Sequence, residues 1–297
     1  MRDHAIEVEG ALSVRTSIAD YITLIKPGIV GLVIVAALTG IYIGGRGEYN
    51  LLLICWTLGG LGVATAGSAL LNNYFDRDID ALMERTSMRA LALGKVSPGK
   101  ALFTGLALVA LSIAALAFKV NGATALLTAG AAVGYVLLYG IVLKRRSSFA
   151  NQVGGLAGAL PPLIGYAAIT GGVDGTAMIL FAIVAVWQQP HALSLALKYR
   201  DEYAKAAIPV IPVARGVKAT KVRIVLYSML LIPVSALLFL TGVTGVVYLA
   251  TAITLGATFL ILGVRFLRSD RQCDMFLFFF SILYLTLLFT SMVVDMV

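Results

Sequence analysis

Charge is scarce in this chain. Of its 297 residues only 13% are Asp, Glu, Lys or Arg, about half the roughly 25% of a soluble domain. Too little polar surface is present to clothe an ordinary water-soluble core. Cysteine is nearly missing as well. Cys55 lies inside an apolar run and Cys273 near the start of another, which excludes a disulfide framework and a cysteine metal knuckle. Histidine occurs twice, as His4 in the N-terminal tail and as His191. The opening MRDHAIEVEGALSVRTSIADY shows no cleavable signal peptide, and Asp3, Glu7 and Glu9 argue against a transit peptide.

Apolar length is what the chain has instead. It is 60% hydrophobic, and several stretches reach the roughly 20 residues that a helix needs to cross a bilayer. Backbone groups in lipid must be satisfied within each helix. The expected fold is therefore an all-α polytopic membrane protein. Nine spans are predicted, near residues 27–45, 51–71, 101–118, 122–143, 149–170, 176–197, 223–242, 244–267 and 275–296. A net charge of +8 would be compatible with nucleic acid, but the placement of the charges excludes that partner. All but Arg46 and Lys119 of the 23 Lys and Arg fall in the tail or in loops after even-numbered spans. The positive-inside rule makes that side cytoplasmic, with the N-terminus in and the C-terminus out. Residues 1–26 read as a cytoplasmic tail and 27–297 as one transmembrane domain. Two cytoplasmic loops, about 72–100 and 198–222, are long, whereas opposite loops are a handful of residues each. Chemistry is expected on the cytoplasmic side.

The second span runs into LNNYFDRDIDALMERTSMRAL. If its helix continues, residues four apart lie about 40° apart around the axis, so Asn72, Asp76 and Asp80 share a face while Asp78 points nearly opposite Asp76. Stacked carboxylates repel each other and are costly near a membrane. Mg²⁺ takes oxygen ligands, typically one or two carboxylates plus substrate phosphates, and Arg77, Arg85 and Arg89 supply donors for a phosphate. A solvated helix end laced with Asp–Arg pairs is the plainer alternative. The loop after the sixth span opens LALKYRDEYAKAAIPVIPV, with Asp201 and Glu202 among Lys198, Arg200 and Lys205. Taken alone, that is an interfacial charge run. Upstream, VWQQPHALSLAL places Gln188, Gln189, Pro190 and His191 inside a span, where Pro190 should kink the helix. An intramembrane ionisable residue is a functional candidate, although His191 could equally bond a neighbouring helix. About 15 Å of regular helix would separate His191 from Asp201, room for a flat macrocycle at one and a diphosphate near the other. In YGIVLKRRSSFANQVGGLAGALPPLIGY, Lys144 and Arg145 end the fourth span. Gly154, Gly155 and Gly158 suit close helix packing, and Pro161 and Pro162 should break the fifth span.

These stretches resemble motifs of the UbiA-type intramembrane prenyltransferases. NNYFDRDIDALMERTSMRAL resembles the first Asp-rich motif of that family. WQQPHALSLALKYRDEYAKAAIPVIPV resembles the Trp-Gln-x-Pro-His segment and following Asp-Asp-Tyr motif of its heme O synthase branch. The resemblance covers about Ile25 to Val213. It implies nine helices around a central cavity in the plasma membrane of a prokaryote. There a farnesyl diphosphate held through Mg²⁺ would ionise and alkylate a vinyl group of protoheme (heme b), releasing diphosphate. The product would pass to a heme A synthase or to terminal oxidase assembly. Carried over by residue, Asn72, Asp76 and Asp80 would hold metal and diphosphate, with Asp201 at a second metal and Glu202 beside it. Arg77, Arg85, Arg89, Lys144, Arg145 and Lys198 would neutralise the leaving group, and His191 would contact or ligate heme. Three positions depart from the pattern: Glu202 replaces Asp, Ala90 replaces the Pro of Arg-Pro-Leu, and Ala207 stands where Gly is usual. A prenyltransferase for a quinone precursor would keep the Asp clusters but give His191 no heme role. A transporter built on broken helices is a further alternative, though no inverted repeat stands out and the acidic clusters lie at the interface.

Overall fold

The computed structural model describes residues 17–297, so the greater part of the expected tail, with Arg2, His4 and Arg15, lies outside the described residues. Among these, nine helices are long and apolar enough to cross a membrane. The short helix α1 (Ile18–Leu24) leads into α2 (Pro27–Gly45), α3 (Leu51–Asp80) and α4 (Pro98–Lys119). Next come α5 (Gly122–Val133, continuing in wider π-type winding through Gly134–Leu143) and the half-helices α6 (Ala150–Gly158) and α7 (Leu160–Thr170). After α8 (Gly175–Lys198), the short α9 (Arg200–Lys205) and α10 (Ile211–Ala214) lead to α11 (Gly216–Leu240), α12 (Val246–Arg268) and α13 (Met275–Val294).

Local chemistry accounts for the boundaries. Ser17 and Asp20 form a reciprocal capping box, with Ser17 N donating to Asp20 Oδ2 at 2.8 Å and Asp20 N to Ser17 Oγ at 3.2 Å. The end of the tail is thus helical, which the charge count did not anticipate. Leu24 seats α1 against Leu70, Ala90 and Leu91. The fifth span breaks at Ala159, and Pro161 and Pro162 occupy the first turn of α7, where a missing N–H costs no helix bond. Pro190, by contrast, sits inside an unbroken α8.

With no hydrophobic drive between helices in lipid, close backbone approach supplies much of the packing. The α2–α7 crossing depends on it. A Cβ on Gly40 would strike the Pro162 carbonyl, and one on Gly165 would strike the Ala37 carbonyl. A second core joins α7, α8, α11, α12 and α13 through Tyr248, Phe259, Phe266 and Tyr284, all essentially fully buried. Its polar atoms are paired: Tyr248 OH donates to Ser235 O at 2.8 Å, and Ser235 Oγ lies 2.9 Å from Tyr284 OH. Phe103, Leu126 and Phe279 are exposed on the outside, as lipid-facing residues should be. The loop 81–97, α1, α9 and α10 gather at the end of the bundle where α3 ends.

Candidate active site

Helix α3 runs on past the membrane-length stretch to Asp80, so its last two turns carry Asn72, Asp76 and Asp80 on one buried face. Asp78, about 200° from Asp76 around the axis, is exposed and pairs with Arg145 at 2.6 Å. The buried face lines a cavity of about 400 Å³. Lys144 Nζ lies 2.5 Å from Asp76 Oδ2, and Arg89 Nη1 lies 2.6 Å from Asp80 Oδ2. The loop after α3 folds back because Thr86 Oγ1 donates to the Asp80 carbonyl at 3.0 Å, which brings Arg85 and Arg89 to the cavity wall.

Two further residues complete this wall. Lys26 donates to Asn72 Oδ1 at 3.1 Å, and Tyr135 OH donates to the same oxygen at 3.2 Å. Lys26 holds a left-handed backbone (φ 53°) between α1 and α2, a strained conformation of the kind that clusters at functional sites. Burial, then the nearby Arg89 charge, pushes the Lys26 ammonium down to about 8. The Tyr139 ring stacks on Tyr135 with centroids 5.9 Å apart and also lines the cavity. Gly154 gives the Tyr139 ring room, and Gly155 accepts Gln188 Nε2 at its carbonyl, 2.5 Å away. These glycines therefore pack helices closely, as expected, and border the cavity too.

The lining carries four cations, Lys26, Arg85, Arg89 and Lys144, against two carboxylates, Asp76 and Asp80. An excess of two positive charges around one cavity suits a polyanion. Beside it lies an apolar chamber of about 110 Å³, and the two spaces share Ile29 and Tyr135 in their walls. Asp76 Oδ1 and Asn72 Nδ2 are buried without a hydrogen-bond partner. An unpartnered carboxylate oxygen beside a second carboxylate fits Mg²⁺, which binds proteins through one or two carboxylates and completes its shell with phosphate and water. Among the described residues no three His, Cys, Asp or Glu gather as a ligand cluster.

Besides His191, five of the expected residues do not line this cavity. Arg77, about 100° from Asp76, is exposed and lies 4.6 Å over the Tyr74 ring. Arg145 is held outside by Asp78, one residue from the inward Lys144. Lys198 is exposed beside Tyr199, and Asp201 is exposed on α9. Glu202 accepts the Arg85 backbone N–H at 3.2 Å at the cavity's edge, while Tyr203 lines the cavity itself. Ala207, where the resemblance expects Gly, has φ 54°; this left-handed conformation costs an alanine about 1 kcal/mol or more.

His191 sits on the shoulder of α8, about 60° and 100° around the axis from the cavity-lining Gln188 and Ala192. Its ring stacks on Trp187 and Phe278, with centroids 4.9 and 4.5 Å away. Its Nδ1 lies 2.7 Å from Ser281 Oγ. The Ser281 hydroxyl has one proton for two acceptors in reach, the Phe278 carbonyl at 2.6 Å and His191 Nδ1, so the His191 tautomer follows from which of them takes it.

Comparisons with known proteins show the family and the fold. Residues 33–287 match the UbiA prenyltransferase family. A protein of Aquifex aeolicus named protoheme IX farnesyltransferase is 48% identical over 94% of this chain and 96% of its own length. One of the same name from Marinobacter nauticus is 41% identical over 93% and 92%. Among solved structures, a digeranylgeranylglyceryl phosphate synthase superposes with a TM-score of 0.80 at 17% identity, over 93% of this chain and 97% of that one. A UbiA homologue of Archaeoglobus fulgidus bound to GPP and Mg²⁺ gives 0.66 at 19%, over 93% and 99%.

Proposed function

This chain belongs to the UbiA prenyltransferase family, and from that premise we propose that it transfers the farnesyl group of farnesyl diphosphate to a vinyl group of protoheme, giving heme O and diphosphate. One observation supports this most directly. A cavity with two excess positive charges borders an apolar chamber, with Ile29 and Tyr135 in the walls of both, which suits a ligand with an anionic head and a hydrocarbon tail. Relatives at 48% and 41% identity carry the corresponding name.

In this reading Asn72, Asp76 and Asp80 hold Mg²⁺, which when bound supplies positive charge to the departing diphosphate. Lys144 and Arg89 now neutralise the two carboxylates and would turn to the diphosphate oxygens as metal takes their place. Lys26, bonded to Asn72, and Arg85, whose guanidinium lies over the Tyr199 ring, add donors at the cavity wall, and such donors stabilise charge that develops on a leaving group. The Tyr135 and Tyr139 rings present π-faces, which attract a developing allylic cation. The apolar lining of the chamber disfavours water that would trap that cation early. Asp201 and Glu202 are given no metal here, because neither lines the cavity. His191 does not line the cavity either, and its assignment to protoheme, with Nε2 as iron ligand, rests on the resemblance of the Trp187–His191 segment.

The test uses purified protein with farnesyl diphosphate and protoheme. Heme O, identified by mass, is expected together with diphosphate in equal amount. Chelation of Mg²⁺ should abolish both, and added Mg²⁺ should restore them. Diphosphate release with a quinone precursor but not with protoheme would move the acceptor to that class, and no release at all would overturn the enzyme reading.

The protein is a multi-pass membrane protein. We further propose that the cavity end faces the cytoplasm in a prokaryotic plasma membrane, since that side carries all but two of the Lys and Arg. Reporter fusions after residues 122 and 172 should read outside. A cytoplasmic signal at either would reverse or break this topology.

A further inference from the structure

The apolar chamber has a definite bottom. Its lining on α3 descends from Ala69 and Ser68 beside the polar cavity to Leu61; on α5 it descends from Tyr135 to Thr128, and on α7 it ends at Ile164. These three deepest residues are closed off: Leu61 is 3% exposed, Thr128 1% and Ile164 0%. Leu61 and Ile164 belong to one packed cluster with Ala37, backed by Leu58 and Leu127. The floor offers no free donor, because Thr128 Oγ1 donates to the Thr124 carbonyl at 2.8 Å. Above it the walls are small, with Ala64, Ala131, Ala132 and Gly158 leaving the space that the tail would fill.

We propose that Leu61, Thr128 and Ile164 form a ruler that limits the prenyl chain to three isoprene units; this rests on the prenyl diphosphate reading above. Eleven residues separate Leu61 from Asn72, about 16 Å along α3. With carbon–carbon bonds of about 1.5 Å, an extended chain advances about 5 Å per isoprene unit. A C15 tail starting beside Asn72 therefore ends at the floor. A C20 tail overshoots by about one unit into a packed cluster that has no void to receive it. A C10 tail leaves the last unit's space empty and forfeits its contacts. The side of the chamber at Ile29 and Gly158 is exposed, but it lies near the mouth, above the floor.

The experiment compares C10, C15 and C20 diphosphates, each with protoheme, by kcat/KM and product mass. Wild type should prefer C15 over either neighbour by about tenfold or more, the scale on which a hydrophobic pocket discriminates. Leu61→Ala removes part of the floor and should raise the C20 to C15 ratio about tenfold. Ala64→Phe fills the space one turn above it and should raise the C10 to C15 ratio by a similar factor. Thr128→Ala, a smaller change at the floor, should move the ratio the same way as Leu61→Ala and decides the matter if that variant does not fold. Ratios within twofold of wild type in folded, active variants would overturn the ruler. So would a wild type that uses C20 as well as C15, because the tail would then leave through the side near Ile29. A wild type that consumes none of the three would overturn the underlying prenyl diphosphate reading, and this proposal with it.

Discussion

Asp76→Ala is expected to lower farnesyl transfer about a thousandfold, the upper range for deleting one group that stabilises developing charge. Asp76 is 1% exposed, has one oxygen 2.5 Å from Lys144 Nζ and leaves the other without a partner. The substitution removes a proposed Mg²⁺ ligand and also leaves the Lys144 ammonium buried and unpaired. Asp76→Asn, of the same size, separates these effects from packing and should be nearly as inactive. Both variants should insert in the membrane, and Asp76→Asn, which still accepts from Lys144, should keep the wild-type thermal unfolding profile more closely than Asp76→Ala, whose buried Lys144 loses its partner. Asp78→Ala supplies the contrast. It breaks only an exposed pair with Arg145, the kind worth about 0–1 kcal/mol, and should stay within about twofold of wild type. Equal damage at Asp76 and Asp78 would sink the one-face assignment. The kinetic comparison should be made at saturating Mg²⁺, so that a weakened site is not mistaken for a lost one.

The spans were legible because lipid imposes a length, and an apolar run of that length has little else to do. The inward face of α3 was legible for a related reason: once its helix continues, spacing by four fixes which carboxylates share a side. What escaped the sequence was phase and distance. Lys26 reads as one flanking charge among many, yet it meets Asn72 across 46 positions. Its only signal was its place directly before Pro27, at the start of a span. Tyr135 and Tyr139 read as ordinary apolar residues of the fourth span. Their four-residue spacing gained meaning only through the wide winding of Gly134–Leu143. That same winding delivers Lys144 inward, with its N–H donating five residues back to Tyr139, while Arg145 turns out to Asp78. Two adjacent cations at the end of an irregular helix cannot be told apart by a regular helical wheel. Asp201 and Lys198 share a side of the membrane with the first cluster, but sharing a side does not place a residue in a cavity.

His191→Ala is expected to abolish heme retention and to lower farnesyl transfer to protoheme at least a hundredfold, while leaving farnesyl diphosphate binding unchanged. Heme iron commonly takes an axial His, and that requires an unprotonated nitrogen on a ring whose orientation is fixed. The Ser281 contact meets both when its hydroxyl proton goes to the Phe278 carbonyl, because His191 Nδ1–H then donates to Ser281 and Nε2 keeps its lone pair. Trp187 and Phe278 then hold the ring by stacking. The partner of a ligating His typically contributes tenfold to a hundredfold in affinity. Ser281→Ala should therefore weaken heme binding about tenfold and shift the Soret band without removing it. A merely structural His191 predicts something different: both substitutions would lower thermal stability and reduce the binding of both substrates in parallel. The deciding measurement is the Soret spectrum of purified wild type, Ser281→Ala and His191→Ala titrated with protoheme, alongside farnesyl diphosphate binding in the same preparations. If His191→Ala bound protoheme with the wild-type spectrum and made heme O at the wild-type rate, the shoulder of α8 would be a packing surface. Protoheme would then have to be held from the Gln188 and Ala192 face inside the cavity.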